Sequence, residues 1–230
     1  MSEAHEYNTL EKMSHAVAKQ MVTLAEKAII ERGRFTLALS GGSTPRMLYR
    51  LLATDYASAF DWENVHVFWG DERCVSPESD ESCYKMAKDT LLDHVAITVE
   101  NIHRMHGEID PQAAASQYNM LLSELFTGLP RFDLILLGMG ADGHTASLFP
   151  DTAALKVSNR WVVENFVEKL HMWRITMTYP TLNAARHVYV LLAGTDKAEV
   201  YQHVRANAQP PYPIQGVQPS AGEVVWWRSV

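Results

Sequence analysis

The sequence is poor in cysteine, in clustered basic residues and in long apolar runs, and each shortage excludes a class of protein. Its two cysteines, Cys74 and Cys83, are too few for a disulfide framework and too far apart for a C-x-x-C pair or a thiolate zinc site. No stretch reaches eighteen apolar residues, and the polar, acidic first twelve residues lack the pattern of a signal peptide. We therefore expect a cytoplasmic protein with reduced thiols and no membrane partner.

Positive charge is also scarce, with 20 Lys and Arg against 27 Asp and Glu, for a formal charge of -7. No basic run could follow a nucleic-acid backbone, so nucleic acid is excluded as a partner. An anionic ligand would have to be attracted locally, by helix N-termini and a few directed cations. The 230 residues are 47% hydrophobic and contain no repeat or Gly/Ser linker, which predicts a single domain over residues 1–230.

Short apolar runs alternate with amphipathic stretches along the chain. Apolar residues recur every three or four positions from Leu10 to Ile30, which predicts a helix that starts near Asn8 and ends at Gly33. Further helices are predicted at 45–52, 82–93, 111–126 and 196–206, and strands at 35–39, 65–69, 132–137, 161–163, 174–178, 188–192 and 224–227. This alternation favours an α/β fold with a mostly parallel, doubly wound, Rossmann-like sheet flanked by helices. Ligands of such sheets bind at the carboxyl ends of strands, here the loops after residues 39, 69, 137 and 192.

The loop after the strand at 35–39 is rich in glycine and leads directly into a predicted helix. Its two glycines let the backbone approach a ligand, and Thr44-Pro45 is a typical helix start. Free amides at a helix start bind anions, although a tight turn without a ligand is the alternative. The candidate phosphate-binding residues are Ser40, Gly41, Gly42, Ser43 and Thr44.

Three charged residues, Asp71, Glu72 and Arg73, directly follow the buried strand at 65–69. Such a cluster can hold a polar substrate, and a solvated turn is the alternative. We select Asp71 and Arg73 as candidate site residues. Arg174, at the start of a strand, and Lys197, after Gly-Thr-Asp, are candidate cations for a phosphate, with surface charges as the alternative.

The loop at 138–150 follows the most apolar strand and contains a G-x-G-x-x-G pattern. A dinucleotide site is disfavoured, because the pattern comes late in the chain and Pro150 ends the long helix that should face a pyrophosphate. A more economical interpretation is that the loop presents Asp142 and His144 at the sheet edge, where histidine is the natural base at neutral pH. No His, Cys and Asp grouping has metal-ligand spacing, so no metal is expected.

These loops resemble those of the 6-phosphogluconolactonase family. The segments LALSGGSTP, VFWGDERCV, FDLILLGMGADGHTASLFP, RITMT and GTDKA appear in the family's order across residues 37–198. The resemblance implies the fold of glucosamine-6-phosphate deaminases and ribose-5-phosphate isomerases. It also implies hydrolysis of 6-phosphoglucono-δ-lactone to 6-phosphogluconate in the pentose phosphate pathway, a small-molecule substrate and no cofactor.

For this reaction we expect the following roles for the candidate residues. The loop amides at 41–44, with Arg174 and Lys197, would hold the 6-phosphate. His144 would act as general base, oriented by Asp142, and Arg73 would serve either the oxyanion or the phosphate. The oligomeric state is expected to be monomer or homodimer.

Two other functions are left open by the sequence. The deaminases have a catalytic Glu five residues after the loop histidine, where this chain has Phe149, and a non-catalytic sugar-phosphate sensor would need the phosphate loop without His144. The chain also departs from the lactonase pattern. It has Cys83 where the family usually has Asn, and it lacks the usual helix after the strand that ends near Trp227.

Overall fold

The computed structural model describes residues 2–230, which form two sheets and six α-helices. The strands are β1 (Glu3–Tyr7), β2 (Phe35–Leu39), β3 (Val65–Trp69), β4 (Asp71–Arg73), β5 (Leu134–Leu137), β6 (Val162–Val167), β7 (Met172–Met177), β8 (His187–Ala193) and β9 (Glu223–Ser229). The helices are α1 (Leu10–Arg32), α2 (Ser43–Ala53), α3 (Cys83–Thr90), α4 (Pro111–Leu125), α5 (Tyr179–Leu182) and α6 (Ala198–Arg205). Within residues 2–230, none of the helices is long and apolar enough to cross a membrane.

The larger sheet has the order β1-β9-β8-β5-β2-β3, and all of its strand pairs are parallel. This confirms the predicted α/β fold with a mostly parallel sheet. Two of the predicted strands, β6 and β7, instead form a separate antiparallel sheet with β4, in the order β4-β7-β6. The sequence analysis missed β1 and β4, because β1 is a polar edge strand and β4 has only three residues.

Hydrophobic residues on the two faces of the larger sheet form two separate cores. In β2, Leu37 and Leu39 belong to one core, which α1 and α2 cover, and Ala38 belongs to the other, which contains residues of α4 and of β6 and β7. In β5, Leu134 belongs to the core that α1 and α2 cover, and Ile135 belongs to the other core. Strands buried on both faces read as continuous apolar runs, which is why the sequence predicted them well.

The helix ends follow local capping chemistry. The Thr9 side chain accepts a hydrogen bond from the amide of Lys12 at the start of α1, so Thr9 is the N-cap rather than the predicted Asn8. Gly33 ends α1 in the left-handed region at φ 76°, as its position predicted. Cys83 is the first residue of α3, and Ser82 caps it by accepting from the amide of Lys85.

A pair of histidines, of which His103 is buried and His66 half-buried, links β3 to the segment that follows α3. His66 Nδ1 lies 3.1 Å from His103 Nε2, and the His103 ring stacks on Phe68 with ring centroids 4.4 Å apart. Burial, and then the neighbouring His66 and Arg34, lower the pKa of His103 to about 4. Burial also lowers the pKa of His66. Both rings are therefore held neutral in the folded protein.

Acid should weaken the fold through this pair. The folded state keeps His103 neutral down to about pH 4, whereas the unfolded chain binds a proton below its ordinary pKa of about 6.5. The stabilisation is complete above about pH 6.5 and is lost as the pH falls toward 4, by about 3 kcal/mol. We expect His103→Asn to flatten the fall in unfolding free energy across this window in urea titrations. The same substitution at the exposed His171 should leave the pH dependence unchanged, and equal slopes in all three proteins would contradict the prediction.

Candidate active site

A cavity of about 240 Å³ lies at the carboxyl edge of the larger sheet. Its walls come from the loops after β2 and β5, from β4, from the start of α3 and from the residue before α6. The lining residues are Ser40, Gly41, Gly42, Ser43, Thr44, Pro45, Asp71, Arg73, Cys83, Gly138, Met139, Gly140, His144, Ala146, Leu191 and Lys197. Nine of the predicted site residues therefore share one cavity.

The glycine loop between β2 and α2 is fixed from behind by Tyr49. The Tyr49 hydroxyl accepts a hydrogen bond from the amide of Ser40 at 3.0 Å and donates one to the Ser40 carbonyl at 2.8 Å. Gly42 is the N-cap of α2 at φ 103°, a conformation that favours glycine. Within residues 2–230, no side chain caps α2, and the buried Ser40 Oγ has no partner. The loop thus offers unused donors at a helix N-terminus, where an anion binds favourably.

The three charged residues of β4 have different surroundings, because successive strand residues point to opposite faces. Asp71 is buried and accepts a hydrogen bond of 2.6 Å from the Ser147 hydroxyl. Glu72 accepts from the amides of Cys83 and Tyr84, both at 2.8 Å, at the start of α3. Burial raises the pKa of Glu72, and its hydrogen bonds oppose that shift. Glu72 therefore anchors α3, and Asp71 and Arg73 line the cavity.

Two arginines lie side by side on the antiparallel sheet. Arg73 on β4 pairs in register with Arg174 on β7, and one Arg73 guanidinium nitrogen donates to the carbonyl of Glu81. Burial, and then the charge of Arg73, lower the pKa of Arg174. Within residues 2–230, the Nε of both arginines is buried without a partner. An anion would supply the acceptor that these Nε atoms lack.

His144, Asp142 and Lys169 form a hydrogen-bonded series. His144 Nδ1 lies 2.5 Å from Asp142 Oδ1, and the Lys169 ammonium donates to Asp142 Oδ2. Burial alone would raise the pKa of Asp142, but hydrogen bonds from His144 and Lys169 hold it well below its usual range. Because a carboxylate only accepts, the proton between the two side chains lies on Nδ1. His144 Nε2 is then left as an acceptor.

The His144 ring is held between a glycine and an aromatic ring. It stacks on Phe149 with centroids 4.0 Å apart and an interplanar angle of 20°. A Cβ built on Gly140 would lie 2.0 Å from His144 Cε1 and Nδ1, so this position has no room for a side chain. On the same loop, Gly143 adopts φ 73° and packs against Tyr212. The loop thus restricts the position of the ring.

Two predicted site residues are not among those that line the cavity. Asp142 contacts His144 without lining the cavity, and Arg174 lies beside Arg73. The sequence analysis missed three contributors to the site, namely Tyr49, Cys83 and Lys169. Cys83 follows a predicted start signal for α3, but no local pattern distinguishes Tyr49 or Lys169 from ordinary core and surface residues.

The structure also bears on the two ligand types that the sequence disfavours. Residues 138–150 run into a short 3-10 helix, Ala153–Lys156, rather than the long α-helix of a dinucleotide site. Residues 2–230 contain no group of three or more His, Cys, Asp and Glu side chains that could hold a metal ion.

The chain is similar to known proteins over most of its length. A family model described as glucosamine-6-phosphate isomerases/6-phosphogluconolactonase matches residues 8–226. The chain belongs to this family. A 6-phosphogluconolactonase of Synechocystis is 44% identical over 213 residues, which cover 90% of this chain and 86% of the relative. The chloroplastic 6-phosphogluconolactonase 3 of Arabidopsis thaliana is 36% identical, over 96% of this chain and 71% of its own length.

Solved structures of the family have the same fold. The 6-phosphogluconolactonase of Trypanosoma brucei is 27% identical, with a TM-score of 0.88 over 100% of this chain and 96% of that chain. The description of the family names both isomerases and lactonases, so the family match alone does not distinguish these reactions.

Gly140 offers a direct test of how the loop holds His144. In Gly140→Ala the new methyl group would overlap the imidazole, which must swing away and lose its hydrogen bond to Asp142. Because the ring can move, the cost in unfolding free energy should be only about 1 kcal/mol. Imidazole ¹⁵N NMR should show loss of the hydrogen-bonded Nδ1–H signal. Gly138→Ala is the matched control, since a Cβ there meets nothing within 4 Å, and its signal should match the wild type. Retention of the signal in Gly140→Ala would refute the packing argument.

Proposed function

We propose that this protein hydrolyses 6-phosphoglucono-δ-lactone to 6-phosphogluconate, the second step of the oxidative pentose phosphate pathway. The observation that carries the proposal is His144, whose Nδ1 is engaged by Asp142 while Nε2 is free at a cavity that also contains a helix N-terminus and cations. The named 6-phosphogluconolactonase relatives support the same reaction. The substrate is a small phosphorylated sugar, and the chain of 230 residues acts as one domain.

One end of the cavity suits the phosphate. The uncapped amides at the start of α2 and the side chain of Lys197 line it, and a Cβ on Gly41 would lie 3.7 Å from the Arg73 guanidinium. This position beside the glycine loop favours the phosphate role for Arg73 over the oxyanion role. Arg174 adds a second cation behind Arg73, which compensates the phosphate charge in a protein whose net charge is -7.

The opposite end suits general-base catalysis. His144 Nε2 takes a proton from water as the water oxygen bonds to C1 of the lactone, and a tetrahedral oxyanion forms. When this collapses, the bond between C1 and the ring oxygen breaks, and the proton returns from Nε2 to that oxygen. Asp142 keeps the ring in the required tautomer and stabilises the imidazolium between the two steps. Electrons and protons balance with water as the only co-reactant.

The site disfavours the deaminase alternative. The deaminases place a carboxylate at the position of Phe149, whereas here an apolar ring stacks on His144 at 4.0 Å. A sensor would need only the phosphate end of the cavity. The contacts that join Lys169, Asp142 and His144 would then have no function. We place the enzyme in the cytoplasm, as a monomer or homodimer, and we include no nucleic-acid or membrane partner.

Removing the base should abolish most of the activity. We expect His144→Ala to lower the enzymatic hydrolysis of fresh 6-phosphogluconolactone by about 10² to 10⁴ in kcat, at neutral pH with EDTA and after subtraction of spontaneous hydrolysis. Asp142→Asn should also lower kcat strongly, because an amide can stabilise the wrong tautomer. The control is His106→Ala at an exposed histidine, with folding checked by circular dichroism. If the wild type binds 6-phosphogluconate but shows no excess hydrolysis, the protein is a sensor instead.

The role of Arg73 can be separated from catalysis by using two lactones. If Arg73 holds the phosphate, Arg73→Met should raise KM for 6-phosphogluconolactone by about tenfold or more and leave kcat/KM for unphosphorylated gluconolactone nearly unchanged. Arg46→Met, at an exposed position on α2, is the matched control for the loss of one charge. An equal loss of kcat on both lactones would instead assign Arg73 to the oxyanion.

A further inference from the structure

Lys169 is joined to the candidate catalytic pair from outside the cavity. It lies in the turn between β6 and β7, within a 3-10 segment at Glu168–Leu170, and so belongs to the antiparallel sheet. Its ammonium donates to Asp142 Oδ2, while His144 occupies Asp142 Oδ1. One carboxylate therefore joins a cation on one sheet to an imidazole on the other.

A second contact fixes the same lysine. Its ammonium lies 4.7 Å from the centre of the Phe149 ring, and that ring stacks on His144. Lys169 thus contacts both side chains that position His144. These are Asp142, which is hydrogen-bonded to the imidazole, and Phe149, which stacks on it. A lysine that merely covered the surface would not need both contacts, because an exposed ammonium is fully satisfied by water.

The charges determine what this arrangement does. An uncompensated carboxylate beside an imidazole favours the protonated ring, and a protonated ring cannot act as a base. Lys169 offsets that negative charge without contributing an acceptor of its own. Its side chain is 51% exposed and that of Asp142 is 29% exposed, so water screens the effect without removing it.

We propose that Lys169 is a positioning residue that orients Asp142 and Phe149 around His144 and offsets the Asp142 charge that acts on the imidazole. The inference rests on the proposed hydrolase function. Lys169 does not line the cavity, so it acts through Asp142 rather than on the substrate. Other titratable groups also face the cavity or pack on its histidine loop, and they are unchanged in the test below; they are Asp71, Arg73, Cys83, Lys197 and Tyr212.

The test is the pH–rate profile of Lys169→Met. The acid limb of kcat/KM for 6-phosphogluconolactone should move to higher pH by about 0.5 to 1 unit, because one charge next to the carboxylate is lost and partly screened. The KM of Lys169→Met at the high-pH plateau should stay within about twofold of the wild-type KM, because the phosphate end of the cavity is unchanged. Lys169→Arg should restore the wild-type limb. Lys19→Met, at an exposed position of α1, removes the same charge elsewhere and should leave the limb in place.

A second readout does not depend on activity. Imidazole ¹⁵N NMR should show the His144 ring titrating at higher pH in Lys169→Met than in the wild type, by the same 0.5 to 1 unit. A uniform loss of activity with an unmoved limb and an unmoved NMR titration would reduce Lys169 to a structural contact and overturn the inference. An inactive wild type whose NMR titration still responds to Lys169→Met would overturn the proposed function and leave the electrostatic coupling standing.

Discussion

The candidate site depends on the parallel alignment of β2, β3, β5 and β8. Leu37 pairs with Leu134 across β2 and β5, and Leu134 pairs with His187 across β5 and β8. Because these strands run in the same direction, their carboxyl ends meet at one edge, and the loops that follow them converge. The glycine loop and the histidine loop are far apart in the sequence, yet this register brings both to the lining of one cavity. The chemistry therefore depends on apolar strand pairing well below the cavity.

The antiparallel sheet supplies charged side chains that the loops of the parallel sheet do not provide. Parallel strand ends provide loop amides and the histidine, whereas β4 contributes Asp71 and Arg73, β7 contributes Arg174 and the turn after β6 contributes Lys169. Arg73 and Arg174 lie side by side as two cations in a protein with a net charge of -7. An anionic substrate is then attracted by a local concentration of positive charge rather than by the overall field. Each sheet therefore contributes residues both to the cavity walls and to the surroundings of His144.

The sequence predicted those parts of the fold and site that have local causes. Fully buried strands such as β2 leave continuous apolar runs, and the Asp-x-His spacing in a glycine-rich loop pointed to Asp142 and His144. Tertiary contacts left no comparable signal. The strand β1 is polar because it lies at an edge, and Lys169 reaches Asp142 only because the hairpin packs over the histidine loop. Neither fact can be read from neighbouring residues.

The side chain at position 149 determines what the face of the His144 ring contacts. Phe149 lies against the face of His144 and under the ammonium of Lys169, so it keeps that face of the ring dry and free of negative charge. A carboxylate in its place would add a second anion near the imidazole and favour the protonated ring. It would also compete with Asp142 for Lys169, whose charge would then be shared between two acids. An aromatic residue at this position is therefore consistent with the proposed role of His144 as the base that activates water.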